Sequence, residues 1–255
     1  VTTTNSAPRI ACAGLDLVIA GNRILSGVSL AAAPGEFLGV IGSNGAGKTC
    51  LINVLSGAMT PTAGSVRFDG NEIRKWPPHR RARAGLGRTF QTSTLFLGRT
   101  VLENVRLAGS SRTTGFLAAL PPVRRSDPGI GDAREALGAV GLSDRAEEKA
   151  DALSHGERRK LELAMVIAQG ATCLLLDEPM AGVNSADIHD LVEVIRALHA
   201  TQGLTIVMVE HHMDVVLDLA ERVAVMHHGE LLAVDTPEGI TANETVQSAY
   251  IGESL

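Results

Sequence analysis

Phe37-Leu38-Gly39-Val40-Ile41 runs directly into Gly42-Ser43-Asn44-Gly45-Ala46-Gly47-Lys48-Thr49, and Thr49 to Leu55 then reads as a helix. An apolar strand-like run, a glycine-rich loop and a helix start form the context in which GxxxxGK[ST] acts as a phosphate cradle. Its glycines let the main chain curl so that successive N–H groups face one point, and the helix N-terminus adds about half a positive charge there. In that arrangement Lys48 meets the β- and γ-phosphates of a nucleoside triphosphate, and the Thr49 hydroxyl becomes a ligand for Mg²⁺.

Outward from this loop the pattern is that of an α/β chain. Before it lie short β-like runs, Leu15 to Ile19 and Ile24 to Leu30, broken by turns at Gly21-Asn22 and Pro34-Gly35; after it comes Ser65 to Phe68. Much further on, the run Cys173 to Leu176 ends in Asp177-Glu178-Pro179. Open parallel sheets place their ligands at such strand ends. Neighbouring residues on a strand point oppositely, so the pair should divide its labour: Asp177 holding Mg²⁺ through water, Glu178 polarising the water that attacks the γ-phosphate. A solvated acidic strand end is the plain alternative.

Ile188, Leu191, Val192, Ile195 and Leu198 form one apolar stripe of helical spacing, followed by the strand-like run Thr205 to Val209. Strand, helix, strand in this order predicts a right-handed crossover and a parallel sheet. Between about Arg99 and Ser154 the chain turns helical, interrupted by the Gly-, Ser-, Pro- and Arg-rich segment Gly109 to Asp132. That reads as a helical subdomain inserted into the core. Leu153-Ser154-His155-Gly156-Glu157 opens a further helix, and Ser154 with Glu157 spells a capping box. A capped start carrying Ser and Gly can equally offer a hydroxyl and N–H groups to a γ-phosphate.

Composition excludes other classes. The chain has 255 residues with 45% hydrophobic and 20% charged, enough apolar content for a real core. Five Phe, one Trp and one Tyr supply almost no stacking platforms, and 23 Lys and Arg against 28 Asp and Glu give no global positive field, which argues against nucleic acid as a partner. Cys12, Cys50 and Cys173 are far apart without metal spacing and read as buried free thiols. No run approaches a membrane span, and the polar start, Val1 to Pro8, lacks the pattern of an export signal; residues 1–8 are expected as a disordered tail.

With the cradle, the Leu174 to Glu178 strand end and the Leu153 to Glu157 segment assembled, the chain resembles the ATP-binding cassette (ABC) family. There the three stand as Walker A, Walker B and the LSGGQ signature, Gln91 in Arg88-Thr89-Phe90-Gln91 as the Q-loop, and His211 in Val209-Glu210-His211 as the switch histidine. Taken alone, Gln91 is an exposed loop residue and His211 a helix-starting one. The resemblance covers about residues 10 to 252. It implies a mostly parallel core sheet (residues 9–90 and 171–240), an N-terminal antiparallel β subdomain, a helical subdomain over about 91–170 and a C-terminal helix over 241–252, all within one domain, 9–252. It implies γ-phosphate and metal-sensing roles for His211 and Gln91, with Gln91 a Mg²⁺ ligand beside Thr49 and Asp177.

The resemblance also implies ATP and Mg²⁺ as cofactors and a head-to-tail pair of cassettes, of the same or paralogous chains. In that pair Ser154, His155, Gly156 and Glu157 of one chain close over the nucleotide held by the other, with Ser154 and Gly156 chosen for small size and exposed backbone. Within the family, Thr236-Pro237-Glu238, Ala249-Tyr250-Ile251-Gly252 and the Ala181-Gly182-Val183-Asn184 D-loop look like the branched-chain amino acid uptake ATPases. Those work on the cytoplasmic face of the plasma membrane with two permeases and, indirectly, a substrate-binding protein; urea and short-amide importers are close relatives. Two departures stand out. Ile19 occupies the place of the adenine-stacking aromatic and offers van der Waals contact alone, and Asn184 replaces the usual D-loop Asp. The basic cluster Arg74, Lys75, Arg80, Arg81, Arg83 and Arg88 reads as a solvated helical face. A soluble cassette ATPase acting on ribosomes or DNA, and a regulatory module without turnover, are the competing classes; the intact Glu178 and His211 argue against the second.

Overall fold

The computed structural model describes residues 7–89, 95–110 and 129–251. Gln91, and residues 1–6 of the expected tail, lie outside them. Two sheets enclose the helix that follows the cradle. Strands β1 (Ile10–Ile19), β2 (Asn22–Ala32), β4 (Ala63–Phe68) and β5 (Asn71–Glu72) make an antiparallel sheet in the order β2-β1-β4-β5. The six-stranded core sheet combines β3 (Phe37–Gly42), β6 (Leu86–Arg88), β7 (Cys173–Asp177), β8 (Thr205–Val209), β9 (Arg222–His227) and β10 (Glu230–Asp235) in the order β10-β9-β3-β8-β7-β6. It is parallel except for β10, which pairs antiparallel with β9.

The strands β3, β7 and β8 are buried along their whole length, which is why they read as unbroken apolar runs. Alternate residues serve opposite layers. Leu174, Leu176, Ile206 and Met208 face the cluster built by α3 (Val101–Ser110), α4 (Gly129–Ala139), α5 (His155–Ala168), α6 (Ser185–Gln202) and α7 (Met213–Leu219). Cys173, Leu175, Val207 and Val209 face the cluster that holds α1 (Lys48–Ser56) and the antiparallel sheet. Helix α2 (Pro78–Arg83) leads into β6, and the chain closes with α8 (Pro237–Ala242) and α9 (Glu244–Ile251). The last two replace the single helix expected over 241–252, because Asn243 breaks the run and its Oδ1 accepts the N–H groups of Thr245 and Val246 as a cap.

The basic cluster is not one solvated face. Lys75, Arg80 and Arg83 are exposed, but Arg81 is 1% exposed and ranks among the largest fully buried side chains. Its guanidinium donates to the carbonyls of Val54 (2.8 Å) and Leu55 (2.6 Å) in the last turn of α1, and to those of Trp76 (3.0 Å) and Arg74 (3.1 Å). Carbonyls at a helix C-terminus have no intrahelical partner and carry the negative end of the dipole, so one cation there meets several needs. Gly57 makes room for it: a Cβ at that position would lie 2.7 Å from Arg81 Nε. Arg81→Met is therefore expected to strand these carbonyls and cost about 3 kcal/mol, read as a lower denaturant midpoint at unchanged slope.

Cys12 and Cys173 are buried as expected, and burial pushes the Cys12 thiol up to about 11 and raises that of Cys173 as well. Cys50 departs from the expectation; it is only half-buried, one residue beyond Thr49 on α1.

Candidate active site

The cradle is built by close approach. A Cβ at Gly42 would fall 2.2 Å from Met226 O on β9, and one at Gly47, where φ is 97°, would fall 2.9 Å from Leu25 Cδ2 and 3.0 Å from Ile24 O on β2. Only glycine fits either place. Gly229, at the turn between β9 and β10, donates its N–H to Ala46 O at 3.1 Å and fixes the outer side of the loop. Lys48 is 5% exposed, and its ammonium donates to Gly42 O at 2.6 Å and Ser43 O at 2.9 Å. The loop thus holds its own cation at its mouth.

Beside it stands the β7 strand end. Asp177 Oδ1 accepts from Thr49 Oγ1 at 3.4 Å, while Oδ2 pairs with Arg88 Nη2 at 3.1 Å. Burial pushes the Asp177 carboxyl above its ordinary value; the Arg88 guanidinium pulls it back, and the neighbouring Glu178 charge adds to the rise. Arg88 also donates to Asn53 Oδ1 (2.6 Å) and Ser56 Oγ (2.8 Å) on α1. Arg88 is thus a second member of the basic cluster that is not solvated, since its side chain is only 11% exposed.

Glu178 is not the next residue of a regular strand. Its φ is 50°, a left-handed conformation that costs a side chain of this size about 1 kcal/mol or more. The two acids are therefore sent to different partners, Asp177 to Thr49 and Arg88 and Glu178 to His211, by this turn as well as by strand alternation. It brings Glu178 Oε1 within 2.8 Å of His211 Nε2, the ring N–H donating to the carboxylate. Beneath both lies Glu210, 2% exposed. Its Oε1 accepts the Met180 N–H at 2.8 Å and its Oε2 accepts those of His211 (2.9 Å) and His212 (3.4 Å). One carboxylate thereby ties the turn after Glu178 to the turn that carries His211.

Ser154 caps α5: its Oγ accepts from Glu157 N at 3.2 Å and Glu157 Oε2 accepts from Ser154 N at 2.8 Å, the capping box that S-x-x-E predicts. Arg145 steadies Glu157 from outside at 2.6 Å. Ser154 and His155 are exposed, but Gly156 is buried, and a Cβ there would meet Asp187 Cβ of α6 at 3.0 Å. Its small size serves helix packing, and the exposed backbone expected of it is absent. Asn184 is exposed at the head of α6, and Ile19 is 41% exposed at the tip of the β1–β2 hairpin.

Lys48, Thr49, Asp177, Glu178 and His211 are thus brought together from separate parts of the sequence, the signature segment stands on the α5–α6 wall, and Gln91 lies outside the described residues. Sequence reasoning missed Arg88 as a partner of Asp177, and Glu210. The available signals were their positions, three before Gln91 and one before His211.

A phosphate cradle on a parallel sheet, with an acid pair at the end of β7 two strands away and helices inserted in the sequence between them, defines a nucleoside triphosphatase of the cassette type. The family model for ABC transporters matches residues 25–181, and the chain belongs to that family as an ATP-hydrolysing transporter subunit. Over 254 residues it is 37% identical to the high-affinity branched-chain amino acid transport ATP-binding protein BraF of Pseudomonas aeruginosa, covering 98% of this chain and 100% of that one. LivG of Escherichia coli K12, described in the same words, is 35% identical over the same shares. Among solved structures, the ADP conformation of MJ1267, an ATP-binding cassette of an ABC transporter, superposes with a TM-score of 0.86 at 27% identity, covering 97% of this chain and 100% of that one.

Proposed function

We propose that this chain drives an importer of branched-chain or other hydrophobic amino acids from the cytoplasmic face of the membrane. The observation that carries the substrate class is the similarity along the whole chain to BraF and LivG. The chemistry rests on the constellation of Lys48, Thr49, Asp177, Glu178 and His211.

In this reading the N–H groups from Gly42 to Lys48 wrap the phosphates. Lys48 releases its loop carbonyls to meet the β- and γ-phosphate oxygens, a compact charge on a flexible stem suited to such a move. Thr49 Oγ1 and Asp177 Oδ1 are hard oxygen donors facing one another, which fits Mg²⁺, with Asp177 acting through water. Mg²⁺, when bound, neutralises charge on the transferred phosphoryl group. Glu178 orients and deprotonates the attacking water, His211 turns its Nε2–H from the Glu178 carboxylate to the γ-phosphate when nucleotide is bound, and Gln91 completes the metal and water contacts. Ile19 gives the base an apolar surface without stacking.

The second half of the site is a second copy or paralogue. Ser154 spends its acceptor on the α5 cap and keeps its O–H to donate, so it suits a γ-phosphate presented from across a pair. Asn184, exposed beside that seam, contributes a hydrogen-bonding side chain where a charge is usual. Permease subunits are the remaining partners. A groove of about 260 Å³ between α1, α2, β6 and α5, walled by Ala58, Ala82, Leu86, Met165 and Val166 with polar lining that includes His79, Arg88 and Glu162, suits a short helix of such a partner. No helix of the described residues is long and apolar enough to cross a membrane itself.

Uptake of radiolabelled leucine, isoleucine and valine by the source cells is the test. Deleting the gene should reduce uptake at least about tenfold, with full restoration by the wild-type chain and none by Lys48→Ala. Unchanged leucine uptake with lost urea uptake would move the assignment to the short-amide importers.

A further inference from the structure

A buried carboxylate meant for a metal ordinarily relies on that metal for its counter-charge. Asp177 has a second one built into the protein. Arg88 reaches it from β6 at 3.1 Å, with no exposure of the Asp177 side chain and 11% of that of Arg88. The guanidinium is fixed from the other side by Asn53 and Ser56 of α1, so it is anchored to the helix that carries Lys48 and Thr49. It takes Oδ2, and Oδ1 is turned to Thr49.

We propose that Arg88 is a positioning residue for Asp177 that keeps the hold on Mg²⁺ weak enough for metal and product to leave at each turnover. The inference rests on the reading that Thr49 and Asp177 hold Mg²⁺. A dication arriving at Oδ1 meets a carboxylate already neutralised and a fixed positive charge a few ångströms behind it, and both reduce its attraction. Without Arg88, the metal-free protein would carry an uncompensated buried charge that Mg²⁺ relieves. Whatever destabilises the free form more than the bound form tightens binding. Removing this cation should therefore strengthen metal–nucleotide binding, whereas removing an ordinary structural contact would weaken it or leave it alone.

The experiment is calorimetric titration of the purified chain with ADP in excess Mg²⁺ and with ADP in chelator, for wild type, Arg88→Gln, Arg88→Lys, Asp177→Asn and the Arg88→Gln/Asp177→Asn double variant. Glutamine drops the charge and ends two bonds short of the Nη1 contacts to Asn53 and Ser56, and the double variant keeps no unpaired charge, so it separates the electrostatic effect from the lost contacts. Arg88→Gln is expected to bind Mg·ADP at least about tenfold tighter than wild type with metal-free ADP unchanged, since breaking a buried pair is costly and the metal relieves much of that cost. Arg88→Lys should stay near wild type, and in the Asp177→Asn background the gain should vanish. Equal or weaker Mg·ADP binding by Arg88→Gln, or the same gain without Asp177, overturns the proposal. If Asp177→Asn itself leaves the Mg²⁺ preference of ADP intact, the metal-site reading fails and takes the inference with it.

Discussion

Lys48→Ala is expected to abolish measurable turnover, with kcat down by about 10²–10³ or more and ATP affinity lowered at the same time. The size follows from two losses. The phosphates lose a charge delivered inside a loop from which water is largely excluded, and Gly42 O and Ser43 O lose the ammonium they accept from at 2.6 and 2.9 Å. Lys48→Arg should rescue little, because a planar fork does not fit where a compact ammonium bridges adjacent carbonyls. Phosphate release at saturating Mg·ATP, together with equilibrium binding of ATP, checks both parts. Turnover within tenfold of wild type would remove Lys48 from the phosphate site.

Glu178→Gln is expected to separate binding from chemistry. Glutamine keeps the length and the hydrogen bond toward His211 but cannot accept a proton, so kcat should fall by about 10²–10⁴ while ATP binding stays near wild type. The left-handed backbone at Glu178 is unaffected by this change, so the fold should be intact. With hydrolysis blocked, Mg·ATP should accumulate a dimer on size exclusion that wild type forms only transiently. A variant that turns over normally would mean that another group activates the water; a variant that binds ATP and stays monomeric would remove the head-to-tail pairing.

What could be read from the sequence was governed by local rules. The cradle, the capping box of Ser154 and Glu157 and the fully apolar strands β3, β7 and β8 each follow from residue types at fixed short spacing. What could not be read depends on distant partners. Arg81 and Arg88 sit in a run of cations whose plain reading is a solvated face. Only the folded chain shows that one meets the carbonyl end of α1 and the other an aspartate that follows it by 89 positions. The small size of Gly156 reads as room for a ligand, and only the folded chain shows that it also makes room for Asp187 of α6. Glu210 gave no sign of burial, since an acid beside a histidine at a strand end usually faces water.

The Glu210 carboxylate has a mechanical consequence. Because its two oxygens hold Met180 and His211 at the same time, the turn after Glu178 and the turn bearing His211 cannot be displaced separately without exposing an unpaired anion at the sheet's end. The two turns are therefore tied into one mechanical unit, like a rocker pivoted on a single buried side chain.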